Sequence, residues 1–295
     1  MGKKYIFMTG KYLPKPGATG VCIHALAKCL AQQGEDVTTI CYQDDVESND
    51  IDGVKVSRVD VPSYFFDKHY SSRFEQLKDV WLSRLMKLIH LNHYPLRSRK
   101  LLDSFKDRCL ELTEGIAQED ITIIASYTPL EAVASLIELR SHLPKAKFVY
   151  YSADTLSNEL GNSGLLSAEK RKQMGYKWEK AVFDICDLIL IMECHQSHYF
   201  SSEYKTYKDK MKLVNFPLLK KPKESNKEGQ KTIVYAGTLL KELRNPRFAC
   251  EEIIKVVSEI DYEVIFLGSG DCEDILSEAV NESKGKLTYL GMQPY

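Results

Sequence analysis

Short apolar segments alternate with longer segments of helical periodicity along almost the whole sequence, and no other feature constrains the fold as strongly. The short segments suit β-strands, and the longer ones repeat their apolar residues at the spacing of one helix face. Strands that alternate with helices in this way predict a parallel sheet covered by helices. We therefore predict an α/β protein with a doubly wound sheet.

The first part of the chain, residues 1–216, contains enough of these units for a complete domain. Its predicted strands are Lys4–Met8, Val37–Tyr42, Val54–Val61, Ile121–Ala125, Lys147–Ser152, Asp187–Met192 and Lys212–Phe216. Its predicted helices are Thr19–Gln33, Arg73–Asn92, Ser98–Ala117, Pro129–Ser141 and Ser167–Ile185. Thr19 is the expected cap of the first helix, and Gly34 follows the end of that helix, where a left-handed residue is common.

A polar, lysine-rich segment at 217–231, PLLKKPKESNKEGQK, has no periodicity, and we interpret it as an interdomain linker. The alternation then resumes over 232–295. The predicted elements here are the strands Thr232–Ala236, Tyr262–Leu267 and Lys286–Leu290 and the helices Pro246–Ile260 and Cys272–Glu282. A doubly wound unit usually has about five or six strands. The sequence thus predicts that 232–295 is an incomplete second domain and that the chain as given is inactive.

Composition disfavours several classes of protein. The chain is 44% hydrophobic and 27% charged, which suits a packed globular protein, and its formal net charge of -1 argues against nucleic acid as a partner. The cysteines are scattered without the spacing of a zinc site, as expected of buried thiols in a reducing compartment. The N-terminus lacks a signal-peptide core, and no apolar run approaches the ~18 residues of a membrane span. We expect a cytoplasmic protein.

Ligands of open α/β sheets bind beyond the carboxyl ends of the strands, so the loops that follow strands are the candidate sites. The first is GKYLPKPGATG, residues 10–20, where Gly17 and Gly20 let the backbone approach a ligand. An ordinary surface loop explains these glycines equally well. The second is Asp154, directly after a strand. Its carboxylate suits a substrate hydroxyl, although an aspartate at this place is often only a turn residue or a helix cap.

Two loops of the second part have the features of a phosphate site. Gly237 is followed by Lys241 and Arg244 just before a predicted helix, and cations beside a helix N-terminus suit a diphosphate. A solvated loop with ordinary charges is the alternative. Gly268 and Gly270 form a G-x-G turn between a strand and a helix, which is weak evidence alone because such turns are common.

Several segments, taken in order, resemble glycosyltransferase family 4. PGATGVCIHALAKCLAQQGEDVTTI resembles the family's opening, WEKAVFDICDLILIM its stretch in which a glutamate precedes an aspartate and a buried strand, and KMKLVNFP its crossing into the donor domain. IVYAGTLLKELRNPRF, YEVIFLGSGDCEDIL and KLTYLGMQPY are similar to its donor-domain strands and loops. The resemblance spans essentially the whole chain, and the order and spacing of the segments are more specific than any one of them.

The resemblance implies a GT-B fold, in which one Rossmann-like domain carries the acceptor and a second carries the nucleotide sugar. Gly17 and Gly20 would line the acceptor cleft. The donor-binding residues implied are Gly237, Thr238, Lys241, Arg244, Gly268, Gly270, Gly291 and Met292, with the last two near the nucleotide base. The resemblance also implies retaining transfer with no metal ion and no cofactor, because the nucleotide sugar is a co-substrate.

The chain departs from the family's pattern at two matched places. Thr238 stands where many members have an arginine, and Arg244 stands where the family usually has a lysine. No histidine occurs in the loop 152–154, where many members carry one, so Asp154 takes the catalytic role in this assignment. The family's pair of glutamates that grips the donor would lie beyond Tyr295.

The function implied is transfer of a sugar from a nucleotide sugar to a glycan or lipid-linked acceptor, in the synthesis of a cell-surface polysaccharide. Two alternatives share the fold, namely a sugar-nucleotide epimerase and a sugar-binding subunit without catalysis. A dinucleotide-dependent oxidoreductase is disfavoured, because no G-x-G-x-x-G follows the first strand.

A peripheral membrane contact is predicted for residues 64–100. This stretch has eight Lys or Arg against three acids, interleaved with aromatic residues, and a basic helix with an apolar side suits an anionic interface. The alternative is a helix packed on the sheet. Its core stripe would be Phe74, Leu77, Trp81, Leu85 and Leu88.

Overall fold

The structure is a computed structural model, and it describes most of the 295 residues. The residues outside the description are 1, 15, 44–48, 63–72, 75–76, 79, 83–84, 86–95, 97, 159–166, 218–230, 238–251, 253–254, 256–261, 292 and 294–295. The chain divides into two compact units, Met1–Lys221 and Pro222–Tyr295.

The first unit is built on an eight-stranded sheet. Its strands are β1 (Lys4–Met8), β2 (Asp36–Tyr42), β3 (Asp50–Ile51), β4 (Val54–Val59), β5 (Ile121–Ser126), β6 (Lys147–Ser152), β7 (Leu188–Met192) and β8 (Met211–Val214). Their order across the sheet is β3-β4-β2-β1-β5-β6-β7-β8. All neighbours are parallel except the pair β3–β4. The winding direction therefore reverses between β1 and β5, and the predicted doubly wound α/β fold is confirmed.

Helices cover the sheet. The described helices of this unit are α1 (Ala18–Gln32), α2 (Arg99–Thr113), α3 (Leu130–His142), α4 (Ala168–Ile185) and the short α5 (Gln196–Tyr199). Short 3-10 turns occur at Gln118–Asp120, Leu156–Asn158, Glu193–His195 and Ser202–Lys210. No helix in the described ranges combines the length and the apolar character that crossing a bilayer requires.

Alternate residues of the central strands feed two separate hydrophobic layers. Ile6 and Met8 of β1 pack into the layer that includes residues of α2, α3 and α4, whereas Phe7 between them packs into the layer that includes Ile23 of α1. This follows from the two-residue period of a strand, which sends neighbouring side chains to opposite faces. A central strand buried on both faces is apolar nearly throughout, and this is why the strands were recognisable in the sequence.

The helix ends follow local capping chemistry, with one correction. Ser98 caps α2 by accepting the Leu101 N–H at 3.1 Å, and Ser167 caps α4 by accepting the Lys170 N–H at 3.3 Å. The prediction that Thr19 caps α1 is wrong. The helix begins one residue earlier, at Ala18, because Gly17 is already the extended N-cap residue, and Thr19 lies inside the first turn.

The second unit is described as a small parallel sheet with one helix. Its elements are β9 (Thr232–Ala236), β10 (Glu263–Leu267), α6 (Glu273–Glu282) and β11 (Leu287–Tyr289), and the strand order is β11-β10-β9. Val264 and Phe266 of β10 pack against Leu276 of α6 to form its core. Most of the predicted helix Pro246–Ile260 lies outside the described residues, although 252 and 255 are helical.

Candidate functional site

A cavity of about 480 Å³ opens at the carboxyl edge of the first unit's sheet, and we call it the edge cavity. It lies where the winding reverses, between β1 and β5, which is the place where doubly wound sheets bind ligands. The ends of β1, β2 and β5 and the first turns of α1 and α3 form its wall. The lining residues are Thr9, Gly10, Lys11, Gly17, Ala18, Thr19, Gly20, Tyr42, Tyr127, Thr128, Pro129, Leu130 and Glu131.

Gly17 and Gly20, the two residues predicted to bind the acceptor, both line the edge cavity, but their surroundings differ. A Cβ at position 20 would overlap the main-chain oxygen of Lys11, so the loop that follows β1 folds tightly across the first turn of α1. A Cβ at position 17 would meet no atom within 4 Å. Gly20 is thus needed for the backbone's own packing, whereas Gly17 borders open space.

A chain of polar groups, which is buried at Tyr12 and His24 and exposed at Asp52 and Lys28, anchors this loop. The Tyr12 hydroxyl lies 2.8 Å from Nδ1 of His24, and Nε2 of the same ring lies 3.1 Å from the Asp52 carboxylate. Lys28 donates to the same carboxylate at 2.6 Å. The hydrogen bonds from Lys28 and then His24 lower the pKa of Asp52, and burial raises the pKa of the Tyr12 phenol. The phenol therefore stays protonated and able to hydrogen-bond.

Polar groups of several kinds converge on the edge cavity. The Glu131 side chain is buried and accepts the Ser98 N–H at 3.1 Å. Thr9 is buried too, and Ser126 donates to its hydroxyl at 3.1 Å. The N-cap residues of α1 and α3, Gly17 and Pro129, make no side-chain capping hydrogen bond, and the first turns of both helices border the cavity. A carboxylate, hydroxyls, tyrosine rings and backbone N–H groups at helix N-termini are the groups that bind a polyhydroxylated ligand.

Sequence reasoning missed Glu131 and the two cavity tyrosines, Tyr42 and Tyr127. The signal was available, because Tyr42 ends β2 and Tyr127 directly follows β5. Tyr127 therefore carries the same signal as Asp154, a polar side chain directly after a strand, whereas Tyr42 belongs to its strand.

Asp154 lies at the same edge, after β6, and is not among the residues that line the edge cavity. Its side chain is 54% exposed, and Nε2 of His195 lies 3.7 Å from Oδ1. The same Oδ1 accepts the Thr155 N–H at 3.0 Å. The carboxylate therefore makes the hydrogen bond of a turn residue while it remains open to solvent.

A buried polar cluster, which we call the Glu179 network, lies beneath the Asp154 loop. It consists of Glu179, Ser152, Ser157, His198, Tyr199 and Tyr204. Glu179 is 0% exposed, and its carboxylate accepts hydrogen bonds from Ser157, Tyr199, Tyr204 and the Leu156 N–H. Glu179 is the glutamate of the segment WEKAVFDICDLILIM, which the sequence analysis matched to the family without giving this residue a role, and it lies between Trp178 and Val182 on the buried face of α4.

Ser157 and His198 have the spacing of a nucleophile and its base, with Oγ 2.8 Å from Nε2, but their surroundings exclude this role. Ser157 is buried, and its hydroxyl donates to Glu179 at 2.6 Å. A nucleophile must be reachable by substrate. Burial lowers the pKa of His198, which keeps the ring neutral inside the cluster. The pair therefore belongs to the structural network.

Three of the predicted donor residues meet at the carboxyl edge of the second unit's sheet. Gly237 follows β9 and donates its N–H to Leu267 at 3.0 Å, and Gly268 donates to the carbonyl of Gly291 at 2.9 Å. Gly268 has φ +128, and a Cβ there would overlap the Gly237 carbonyl. Gly270 lies exposed in the same turn. The remaining predicted donor residues, Thr238, Lys241, Arg244 and Met292, lie outside the described residues.

No cluster of three or more histidine, cysteine or carboxylate side chains able to hold a metal ion occurs among the described residues. Asp50 and Asp52 form an Asp-x-Asp sequence, but Asp52 is bonded to Lys28 and Asp50 accepts the Gly53 N–H at 3.1 Å. Independence from metal and cofactor stays a prediction.

Comparison with known proteins defines the fold. No protein-family model matches this sequence, and no curated protein does. The catalytic domain of starch synthase IV from Arabidopsis thaliana, bound to ADP and acarbose, matches 100% of this chain and 75% of its own, with a TM-score of 0.63 and 12% identity. Sucrose-phosphate synthase from Thermosynechococcus elongatus matches 99% of this chain and 71% of its own, with a TM-score of 0.56 and 11% identity.

A third solved structure is a mutant form of TarM from S. aureus, in complex with UDP, fondaparinux and α-GlcNAc-glycerol. It matches 99% of this chain and 78% of its own, with a TM-score of 0.55 and 10% identity. The neighbours are GT-B glycosyltransferases and cover essentially the whole chain. The fold of this chain is therefore the GT-B fold, as the sequence predicted.

Proposed function

We propose that this protein is a nucleotide-sugar-dependent glycosyltransferase of the family 4 type, which transfers a sugar with retention to a glycan or lipid-linked acceptor. The observation that carries the proposal is the junction of Gly237, Gly268 and Gly291 at the ends of β9, β10 and β11. Three strand ends that meet without side chains leave backbone within reach of a ligand, as a diphosphate requires.

The donor is a nucleoside diphosphate sugar. Gly237, Gly268, Gly270 and Gly291 supply close backbone, and the neighbouring Thr238, Lys241 and Arg244 supply a hydroxyl and two cations for the phosphates. Met292, the residue after Gly291 in the sequence, is assigned to the nucleotide base by the family resemblance alone. The starch synthase was solved with ADP and TarM with UDP, which supports a donor of this class.

The acceptor occupies the edge cavity, whose volume suits one or two sugar rings. Glu131 and the threonine hydroxyls bind sugar hydroxyl groups, and the rings of Tyr42 and Tyr127 pack against the apolar faces of a sugar. Asp154, exposed after the next strand, supplies the charge that orients the acceptor hydroxyl or stabilises the cationic transition state. No metal ion or other cofactor takes part.

The protein acts in the cytoplasm at a membrane surface, in the synthesis of a cell-surface polysaccharide. The described residues between 73 and 85 are helical, and among them Phe74, Leu77 and Trp81 are 77%, 67% and 66% exposed. The alternative of a core stripe fails for these three residues. Exposed apolar side chains on a helix beside Arg73 and Lys78 favour contact with an anionic interface.

A transfer assay with and without acceptor tests this function in the complete protein. We expect release of the nucleoside diphosphate and growth of an added glycan, both dependent on the acceptor. Epimerisation of the free nucleotide sugar without acceptor would instead identify an epimerase. Binding of the nucleotide sugar without any turnover would identify a sugar-binding subunit.

A further inference from the structure

We propose that Glu179 is a positioning residue, whose buried carboxylate holds the loop 152–157 so that Asp154 projects from the edge of the sheet. The role of Asp154 in this proposal rests on the function proposed above. The positioning itself rests only on the hydrogen bonds and packing that follow.

The carboxylate of Glu179 binds donors from three separate elements. Oε1 accepts the Leu156 N–H at 2.9 Å and the Tyr199 hydroxyl at 2.9 Å. Oε2 accepts the Ser157 hydroxyl at 2.6 Å and the Tyr204 hydroxyl. A carboxylate in a dry interior is costly unless it is hydrogen-bonded, and these donors satisfy both oxygens. Glu179 thus connects α4, the Asp154 loop and the segment after β7.

The network reaches Asp154 from both sides along the chain. On one side, Ser152 donates to the Asp154 carbonyl at 2.9 Å, and its hydroxyl lies 2.9 Å from that of Tyr199. The Tyr199 hydroxyl also lies 3.3 Å from the Asp154 carbonyl. On the other side, Leu156 is bonded directly to Glu179. The backbone of Asp154 is therefore fixed while its side chain is left exposed.

Packing supplies a second observation independent of the hydrogen bonds. Gly175 lies one helical turn before Glu179 on α4, and a Cβ at position 175 would be 2.8 Å from the Cα of Ser157. The helix and the loop therefore touch backbone to backbone. The same face of α4 contacts the loop at two places, by backbone packing at Gly175 and by hydrogen bonds at Glu179.

Glu179 also helps to keep its two tyrosine donors protonated. Burial, and then the nearby charge of Glu179, raise the pKa values of Tyr199 and Tyr204 well above the usual range. Both phenols therefore stay protonated and continue to donate. Ser157 and Tyr204 are hydroxyls that can either donate or accept, whereas the Leu156 N–H can only donate.

This difference predicts how substitutions rank. Glu179→Gln keeps one acceptor oxygen for Leu156 and Tyr199, and its amide donates to Ser157 and Tyr204 once their hydroxyls reverse. Glu179→Met has a similar shape and keeps none of these bonds. Glu169→Met is the matched control, because Glu169 is exposed on the same helix and its side chain is bonded only to Gln173 among the described residues.

Hydrogen exchange tests the positioning without any substrate. In Glu179→Met, the Leu156 amide should exchange at least about tenfold faster than in the wild type, because it loses its acceptor, and the other amides of 154–157 should exchange faster too, because the loop loses its anchor. Glu169→Met should leave the rates unchanged, and Glu179→Gln should stay within about threefold. Gly175→Ala, which presses on Ser157 without removing a polar group, should also speed exchange there. Unchanged exchange in Glu179→Met overturns the proposal, whatever the result for Gly175→Ala.

Kinetics in the complete protein test whether the position of Asp154 contributes to sugar transfer. Glu179→Met should lower kcat at least about tenfold with the KM for the nucleotide sugar unchanged, and Glu179→Gln should restore most of kcat. The double variant with Asp154→Asn should lose little more than Asp154→Asn alone, because Glu179 acts through Asp154. If the losses of kcat from the two substitutions add fully, Glu179 does not act through Asp154. A wild-type protein that transfers no sugar refutes the proposed function instead, while the exchange rates still decide the positioning.

Discussion

Gly20 in the first turn of α1 lies directly against the main-chain carbonyl of Lys11, so closely that a side chain at position 20 would overlap the carbonyl oxygen. The loop after β1 is thereby folded onto the helix, and both residues line the edge cavity. Gly17 lines the same cavity from a position open to solvent. Gly20 is thus required by the fold, whereas Gly17 borders a surface that a ligand can reach.

Gly20→Ala should destabilise the first unit by about 1–3 kcal/mol, the usual cost of forcing atoms into packed backbone. Gly17→Ala should change stability by less than about 0.5 kcal/mol, because its φ of -81 suits alanine and its Cβ meets no atom. Urea unfolding of both variants measures the difference. Equal losses at the two positions would contradict the close approach of Gly20 and Lys11.

Asp52→Asn should reduce stability at neutral pH but not in acid. The lowered pKa of Asp52 means that its pairing with Lys28 and His24 stabilises the fold fully above the ordinary aspartate pKa of about 3.9. That contribution disappears as the pH falls through the lower pKa of the folded state. Because the side chain is 46% exposed, the effect at pH 7 should be below about 1 kcal/mol.

Asparagine suits this test because it tolerates the positive φ of +57 at position 52. Unfolding free energies of the wild type and Asp52→Asn should differ at pH 7 and converge in acid, once the pH falls below the lowered pKa of Asp52 in the folded state. A difference that is the same at every pH would show that the charge of Asp52 contributes nothing.

Asp154→Asn should lower turnover of the complete protein at least about tenfold, the usual worth of a positioned charged group. The melting temperature should hardly change, because the side chain is exposed and the asparagine oxygen still accepts the Thr155 N–H. Steady-state kinetics and a thermal melt of the same preparation test both parts. Undiminished turnover would leave Asp154 as a turn residue only.

Arg244→Ala should weaken binding of the nucleotide sugar by about 1.5–3 kcal/mol, which is roughly 10–150-fold in Kd. The reason is the loss of charge-assisted hydrogen bonds to the diphosphate. Calorimetric titration measures the change, with Lys241→Ala in parallel. If neither variant binds more weakly, the phosphates lie elsewhere.

Binding to vesicles tests the exposed helical residues. The protein should sediment with vesicles containing about one-third phosphatidylglycerol at low salt, and much less with pure phosphatidylcholine. Trp81→Ser should weaken vesicle binding at least about fivefold, because the exposed ring of Trp81 would be the largest apolar group to enter the lipid interface. Ile137→Ser, which alters an exposed apolar residue of α3, is the control. Equal sedimentation with both lipids would end this proposal.

The strands were predictable and the site was only partly so, for physical reasons. Each predicted strand is present with its ends within about two residues. The central strands were the clearest, because strands buried on both faces leave apolar runs in the sequence. The two-residue strand Asp50–Ile51 and the four-residue helix Gln196–Tyr199 are too short to show any period. The cap of α1 was misplaced because a glycine N-cap provides no side-chain signal.

The glycines of the candidate sites were recognisable because they lie in loops that follow strands. The residues that the fold brings next to them in the edge cavity were not recognisable. The edge cavity joins Gly20 to Tyr42 and Glu131, which come from different strands and helices, and no local pattern connects such distant residues. Glu179 was visible only as a charge on an apolar helix face. Its partners Tyr199 and Tyr204 become evident only once the strands are paired.

Thermal stabilisation by a panel of nucleotide sugars tests most directly whether this GT-B protein binds a nucleotide sugar, as proposed. In the complete protein, one UDP-, ADP- or GDP-linked sugar at about 100 times its Kd should stabilise the fold by about 2.7 kcal/mol. The unlinked sugar should have no effect, and Arg244→Ala should reduce the stabilisation. If no nucleotide sugar raises the melting temperature at millimolar concentration, the proposed function is wrong.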